Sequence, residues 1–300
     1  LAPAAIMGRH LSLVVWATTI GAIIGPSLAP VAGQTVGQYG VPTLAGPFVF
    51  SATLLGLAAL MLFGFLRPDP AVVARELFGA TGRAAGTARA GIGAALRLVA
   101  SLPPARLGVS AMAVGHVVMI GVMTMTPVHI RAGGHGADYT LRVVGLVLSF
   151  HVAGMFAFSP VVGWLTDRIG RRPVIFAGIA ILLTACAVAG TAGHDPVHLA
   201  GGLMLLGLGW SATMVAGSTL LSDAISGEMR ASAQGLSDLL MGLAGAMAGA
   251  VSGVVVEAWS YPTLTLLAAL ATAPLIVLAS LRHTSEQDMA GDQGLAARDS

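Results

Sequence analysis

Eight stretches of the chain run almost without interruption through apolar residues: 11–31, 44–66, 107–128, 143–165, 173–191, 197–221, 232–256 and 259–281. An α-helix that crosses the hydrocarbon layer of a bilayer needs about 20 such residues, and each stretch is near that length. No arginine falls inside any of them. The only acidic residue within them is Asp238, and the only histidines are His116, His151 and His198. Apolar and polar positions do not alternate strictly, so the pattern predicts helices and not the strands of a barrel. Gly25-Pro26, Pro127, Pro160 and Pro274 interrupt the stretches. Such residues break soluble helices, but membrane helices accommodate them.

The polar positions fill the gaps, and the arginines order them. If residue 1 lies in the cytoplasm, 13 of the 15 arginines fall on the cytoplasmic side, leaving only Arg131 and Arg142 outside. The excess of basic residues on one side predicts that both termini are cytoplasmic. The longest gap, 67–106, opens on Arg67-Pro68-Asp69-Pro70 and spaces its arginines through an Ala/Gly-rich, weakly helical stretch. It reads as a cytoplasmic linker between two spans and six. Residues 283–300 read as a polar, disordered tail.

Composition narrows the class further. Only 9% of the 300 residues are charged and 56% are apolar, against about 25% charged in an ordinary soluble domain. The net charge of +2 is too small for a nucleic-acid binder. A single cysteine, Cys186, excludes an intrachain disulfide framework and any Cys-cluster metal site. Gly-x-Ser-x-Gly, a Walker loop and His-Glu-x-x-His are absent, so no enzyme is expected. The class is an all-α polytopic membrane protein whose first partner is the lipid bilayer.

Between the fourth and fifth spans the chain reads Gly163-Trp-Leu-Thr-Asp167-Arg168-Ile-Gly170-Arg171-Arg172-Pro. Gly163 predicts close helix approach. Asp167 can accept backbone N–H groups and pair with arginines at a helix end. Gly170 permits a tight turn, and Arg171-Arg172 pin the loop to the cytoplasmic face. This run resembles the G-x-x-x-D-R-x-G-R-R loop signature of the major facilitator superfamily (MFS), a family of secondary transporters. In the first span, Gly21-Ala-Ile-Ile-Gly25-Pro26 resembles the G-x-x-x-G-P element of the fifth MFS helix. Gly21 and Gly25 predict helix packing and Pro26 a bend. The family pattern ends in Gly-Gly where this chain has Ala29-Pro30.

The two resemblances set a register in which the eight spans are helices five to twelve of a twelve-helix MFS bundle, a fragment lacking the first four. Residues 1–66 are then the remnant of the N-terminal half, 67–106 the central loop, and 107–282 the C-terminal six-helix half. The register also predicts that Asp167 lies near Arg9. The resemblance implies a gradient-driven transporter in a bacterial inner membrane, without a cofactor and monomeric when complete, for a small solute or metal ion.

The richest chemistry lies in 107–128 and 143–165. Met112, His116, Met119 and Met123 fall within about 60° of one another at 100° per residue, with Thr126 beside them. His151 and Met155 sit one turn apart. Thioether and imidazole groups suit Cu(I). Met119-x-x-x-Met123 followed by His151-x-x-x-Met155 is similar to elements of the CcoA-like bacterial copper importers, which implies those four residues as ligands for copper as substrate. The alternative is a proton-coupled drug or metabolite exporter with His116, His151 or Asp238 as the protonatable group, and with the methionines as packing residues. Asp238 is either the proton-coupling site or a structural partner of Arg230. Gly235, Gly242, Gly245, Gly249 and Gly253 make 232–256 a close-packing surface. His129, His135, His194 and His198 flank the external loops.

Overall fold

The computed structural model describes residues 19–67, 92–225 and 229–280. Among these residues every regular element is a helix. Seven are long and apolar enough to cross a membrane: Thr43–Phe65, Pro103–Ala132, Ala137–Ile169, Arg171–Thr191, Pro196–Ala224, Met229–Ala258 and Tyr261–Ser280. They coincide with the second to eighth expected spans. The first expected span begins outside the described residues, as do Arg9 (with its proximity to Asp167), most of the linker and the tail.

The helices are α1 (19–27), α2 (Ala29–Gly37), α3 (Gly46–Phe65), α4 (Ile92–Ser101), α5 (Pro103–Ala132) and α6 (Ala137–Phe156). They continue as α7 (Ser159–Ile169), α8 (Arg171–Thr191), α9 (Pro196–Ala224), α10 (Met229–Ala258), α11 (Tyr261–Leu270) and α12 (273–280). Proline sets several boundaries. Pro160 stands in the first turn of α7, where its missing N–H leaves residues 157–158 as a break inside one span. Asp195 accepts from the N–H of Val197 at 2.8 Å ahead of Pro196, and Ser260 accepts from Thr263 at 3.2 Å ahead of Pro262. Both are side-chain N-caps with proline in the first turn, which satisfy donors that apolar surroundings cannot.

The described residues fall into two units. One combines those within 1–89 with Ile130–Ser149; the other combines Ala90–His129 with Phe150–Ser300. In the first, α1 ends at a turn in which the Leu28 N–H bonds to Gly25 at 3.0 Å, between Pro26 and Pro30. This is the bend that Pro26 predicts. Gly46 rests on the backbone of Ala32 and Gly33, so α2 and α3 touch main chain to main chain. Beyond that contact α3 is apolar on every side and exposed from Val49 to Phe65, the surface of a helix surrounded by hydrocarbon.

In the second unit α9 is the axis. Gly108 of α5 and Gly217 of α9 each abut the other's carbonyl oxygen, with Cβ positions 2.6 and 2.7 Å from it. Gly115 faces Thr213, Gly154 of α6 faces the Met204 carbonyl, Gly207 faces the His151 carbonyl, and Gly209 faces Leu182 of α8. Lipid tails are as apolar as leucine, so helices here associate through close packing, and glycine permits the closest approach. Leu199, Leu203, Leu206 and Leu221 fill the gaps and are fully buried. Between α8 and α11 a cleft of about 260 Å³ remains, lined by Leu183, Cys186, Gly190, Thr265 and Ala269 among others.

The linker is more ordered than expected near its end. Ile92–Ser101 forms α4, whose Ala95 and Val99 pack with Val109, Leu221, Ile225 and Leu236. Ala95 and Val99, one turn apart, with Leu98 and Leu102 beside them, make the packed side, a pattern too short to count as a span.

Candidate functional site

The loop between α7 and α8 turns at Gly170, whose φ of 97° and ψ of 162° lie in a region essentially reserved for glycine. Gly170→Ala is expected to lower the thermal midpoint of the protein by the cost of one such residue, about 1–3 kcal/mol. An unchanged midpoint would show that the turn relaxes freely. Immediately after the turn, Arg171 Nε donates to Asp223 Oδ2 of α9 at 2.9 Å, while its Nη2 lies 3.9 Å from Asp167. A cation in the first turn of α8 and an anion in the last turn of α9 each oppose the local helix dipole. Together they compensate one another across the two helix ends. Asp223 is the functional candidate that span reading misses, because its role depends on a partner 52 residues away; the signal was an acid at the wrong end of a helix.

Other motif residues differ from expectation. Gly163 has nothing within 4 Å of its Cβ position among the described residues, so it mediates no close approach between them. Asp167 is 77% exposed in its side chain and lies 3.9 Å from Arg171, the arginine half of what was expected of it. Arg168 lies over the Trp164 ring at 5.0 Å, and Arg172 stands half-buried in the first turn of α8. Gly21 and Gly25 meet nothing within 4 Å among the described residues; the contact falls one residue later, where Gly145 of α6 rests on the Pro26 carbonyl. Ser27 and Ser149 hydroxyls then bond at 2.7 Å.

The Met/His stripe faces protein. Met112 is fully buried and its sulfur accepts from Ser237 of α10 at 3.8 Å. His116 Nδ1 accepts from Trp210 Nε1 of α9 at 3.2 Å, and Gly245 of α10 leaves room for the imidazole edge. Met119 is buried, Met123 is half-buried, and Thr126 bonds to the Tyr261 hydroxyl at 2.8 Å. His151 is fully buried, its Nδ1 bonded to the Leu203 carbonyl at 2.8 Å; Nε2 has no hydrogen-bond partner. A carbonyl only accepts, so Nδ1 carries the hydrogen and Nε2 presents a bare lone pair. Met155, one turn on, is half-buried beside Gly207. The two histidines thus anchor on α9 two turns apart, at Trp210 and at Leu203. Among the described residues no three His, Cys, Asp or Glu side chains gather as a metal site.

Asp238 is exposed and accepts from Gln234 Nε2 at 3.2 Å. Arg230 is turned away from it, bonding the carbonyls of Ser222 at 2.9 Å and Ile225 at 3.1 Å, where it closes the end of α9. Among the described residues, glycine packing on α10 is confined to Gly245 and Gly249; Gly235, Gly242 and Gly253 meet none of them within 4 Å. The loop histidines are partly organised. The His129 ring stacks on His194 at 4.6 Å and on Tyr261 at 4.3 Å and bonds the Gly193 carbonyl at 2.6 Å. His198 bonds Asp195 at 2.6 Å, which with the Val197 N–H holds that carboxyl below its usual range.

Residues 135–295 match the family model of the Major Facilitator Superfamily. The chain is 39% identical to the MFS-type transporter YdeG of Bacillus subtilis over 260 residues, 86% of this chain and 59% of the relative. It is 38% identical to YddS of the same organism over 267 residues, 88% and 60% respectively. It is 28% identical to the riboflavin transporter RfnT of Brucella anthropi over 273 residues, 90% and 64%. The chain therefore spans about three-fifths of the length of these relatives. The match takes in the glycine turn, the Arg171–Asp223 pair and the α9-centred packing, and on it the chain belongs to the major facilitator superfamily.

Proposed function

We propose that the chain acts in secondary active transport, moving a small organic solute across a bacterial inner membrane by alternating access. The observation that carries this reading is the Arg171–Asp223 pair at the Gly170 turn, which locks the ends of α8 and α9 into one corner. Alternating access needs bodies that rock without deforming, and such a corner makes part of one. In this reading both termini and the Gly170 loop are cytoplasmic, α5 to α12 build one six-helix half, and α1 to α3 belong to the other. Asp238 is the proton-coupling carboxylate: it is exposed, and Gln234 donates to it. No covalent chemistry is involved. An organic solute is favoured over a metal because Met112 and His116 are already committed to Ser237 and Trp210.

The bare Nε2 of His151 beside Met155 supports a second reading, copper transport through Met119, Met123, His151 and Met155. One experiment addresses both. The protein is reconstituted in vesicles under an imposed proton gradient, and accumulation of labelled organic solutes and of Cu(I) is followed. Gradient-driven accumulation of an organic solute, abolished in Asp238→Asn, supports the first reading. Copper accumulation lost in His151→Ala, with no organic solute carried, replaces it with the second. Accumulation of neither defeats both.

A further inference from the structure

Trp210 sits at the middle of α9, 15 residues into a 29-residue membrane helix. Tryptophan in membrane proteins gathers at the interfaces, where its N–H finds water. The other described tryptophans obey that rule, Trp164 in the last third of the span Ala137–Ile169 and Trp259 just past α10. At mid-span an indole N–H must be satisfied by protein, and here His116 does so from α5 at 3.2 Å. The bond also fixes the plane of the indole. Phe156 at the end of α6 meets the same ring edge-on, with centroids 6.3 Å apart and planes at 75°. Yet the ring held so carefully is not enclosed. Trp210 is only half-buried and Phe156 is 38% exposed. The imidazole stands tilted to the indole at 49°, so it grips the ring at its edge and does not stack on its face.

The geometry points to a binding site for a planar aromatic or heteroaromatic solute, stacked on the Trp210 indole with Phe156 as its side wall. This rests on the transport reading above and names the substrate class. Three helices contribute, α5 through His116, α6 through Phe156 and α9 through Trp210. His116 is a positioning residue: it touches the indole and sets its plane. The indole is held at mid-span yet stays only half-buried, with Phe156 beside it 38% exposed. The half-buried thioether of Met155, next to Phe156 in sequence, adds a polarizable group of the kind that contacts aromatic rings favourably.

The test uses the 300-residue chain in lipid nanodiscs, with riboflavin as a neutral planar probe whose fluorescence an indole quenches on stacking. Lumichrome, the ring system alone, and ribitol, the side chain alone, serve as competitors. Wild type is expected to quench riboflavin fluorescence saturably, with lumichrome competing and ribitol not. Trp210→Leu is expected to weaken binding roughly 10-fold, the scale of one lost stacking contact, and to abolish the quenching. Trp210→Phe keeps a stacking face, so it should bind within a few-fold of wild type, at an unchanged thermal midpoint that separates ligand contact from packing. His116→Ala should weaken binding less than Trp210→Leu while broadening the Trp210 fluorescence. Riboflavin binding unaffected by Trp210→Leu, competition by ribitol as strong as by lumichrome, or no binding of either planar probe overturns the inference. Gradient-driven accumulation of another solute, indifferent to lumichrome and to Trp210→Leu, also defeats it but leaves the transport reading standing. Binding that follows the expected pattern in a protein that accumulates nothing does the reverse.

Discussion

Replacing Gly207 with leucine is expected to prevent α9 from seating against α6. A Cβ at position 207 would fall on the His151 carbonyl oxygen and 2.9 Å from the Met155 backbone nitrogen. Both are main-chain atoms inside a continuous helix, so neither can swing away as a side-chain tip would. The helices must separate, and the reciprocal contact of Gly154 with the Met204 carbonyl separates with them. Overpacking a core ordinarily costs about 1–3 kcal/mol, and a backbone-on-backbone clash belongs at or above the top of that range. The control lies six residues earlier on the same helix. Gly201 has nothing within 4 Å of its Cβ position, so Gly201→Leu should fold normally and gain slightly in helix propensity. Thermal unfolding of the two variants in detergent measures the contrast. Equal midpoints would mean that α6 and α9 are not packed as described.

The second large effect concerns the Gly170 corner. Asp223→Ala is expected to remove the tie between α8 and α9 and leave Arg171 facing the positive end of its own helix. An ion pair this exposed contributes up to about 1 kcal/mol, enough for a change of a few-fold in the balance between two transporter states. Gradient-driven accumulation in vesicles should fall accordingly, while the thermal midpoint moves little because the pair is largely solvated. Exchanging the partners, Arg171→Asp with Asp223→Arg, restores the pair and places each charge where the helix dipole favours it. The double variant should therefore match or exceed wild type in stability and recover most of the lost accumulation. Accumulation as low in the double variant as in Asp223→Ala would show that the identity of each side chain matters more than the tie.

These two effects also mark what a single chain of letters reveals. Membrane spans were legible because the requirement for about 20 apolar residues is local and needs no partner. Seven of the eight coincide with described helices, and Pro26 bends the chain where expected. Contacts were not legible. Gly163 and Gly21 looked like packing glycines and meet nothing within 4 Å among the described residues, whereas Gly207 and Gly217, unremarked in the apolar run of α9, make backbone contact. A glycine's use is decided by what lies opposite it, and sequence spacing does not say what that is. The same limit applied to Arg230, which closes α9 and not Asp238, and to α4, whose short apolar side became visible only against Leu221 and Leu236. The Met/His stripe was correctly read as one face of a helix; which neighbours occupy that face required the positions of α9 and α10.

The cleft between α8 and α11 carries a practical consequence. Cys186 lines it, is nearly fully buried, and is the only thiol in 300 residues. A thiol reagent added to these 300 residues therefore has a single target. Small membrane-permeant maleimides are expected to tag Cys186 only when α8 and α11 part, turning reaction rate into a clock for how often this seam opens.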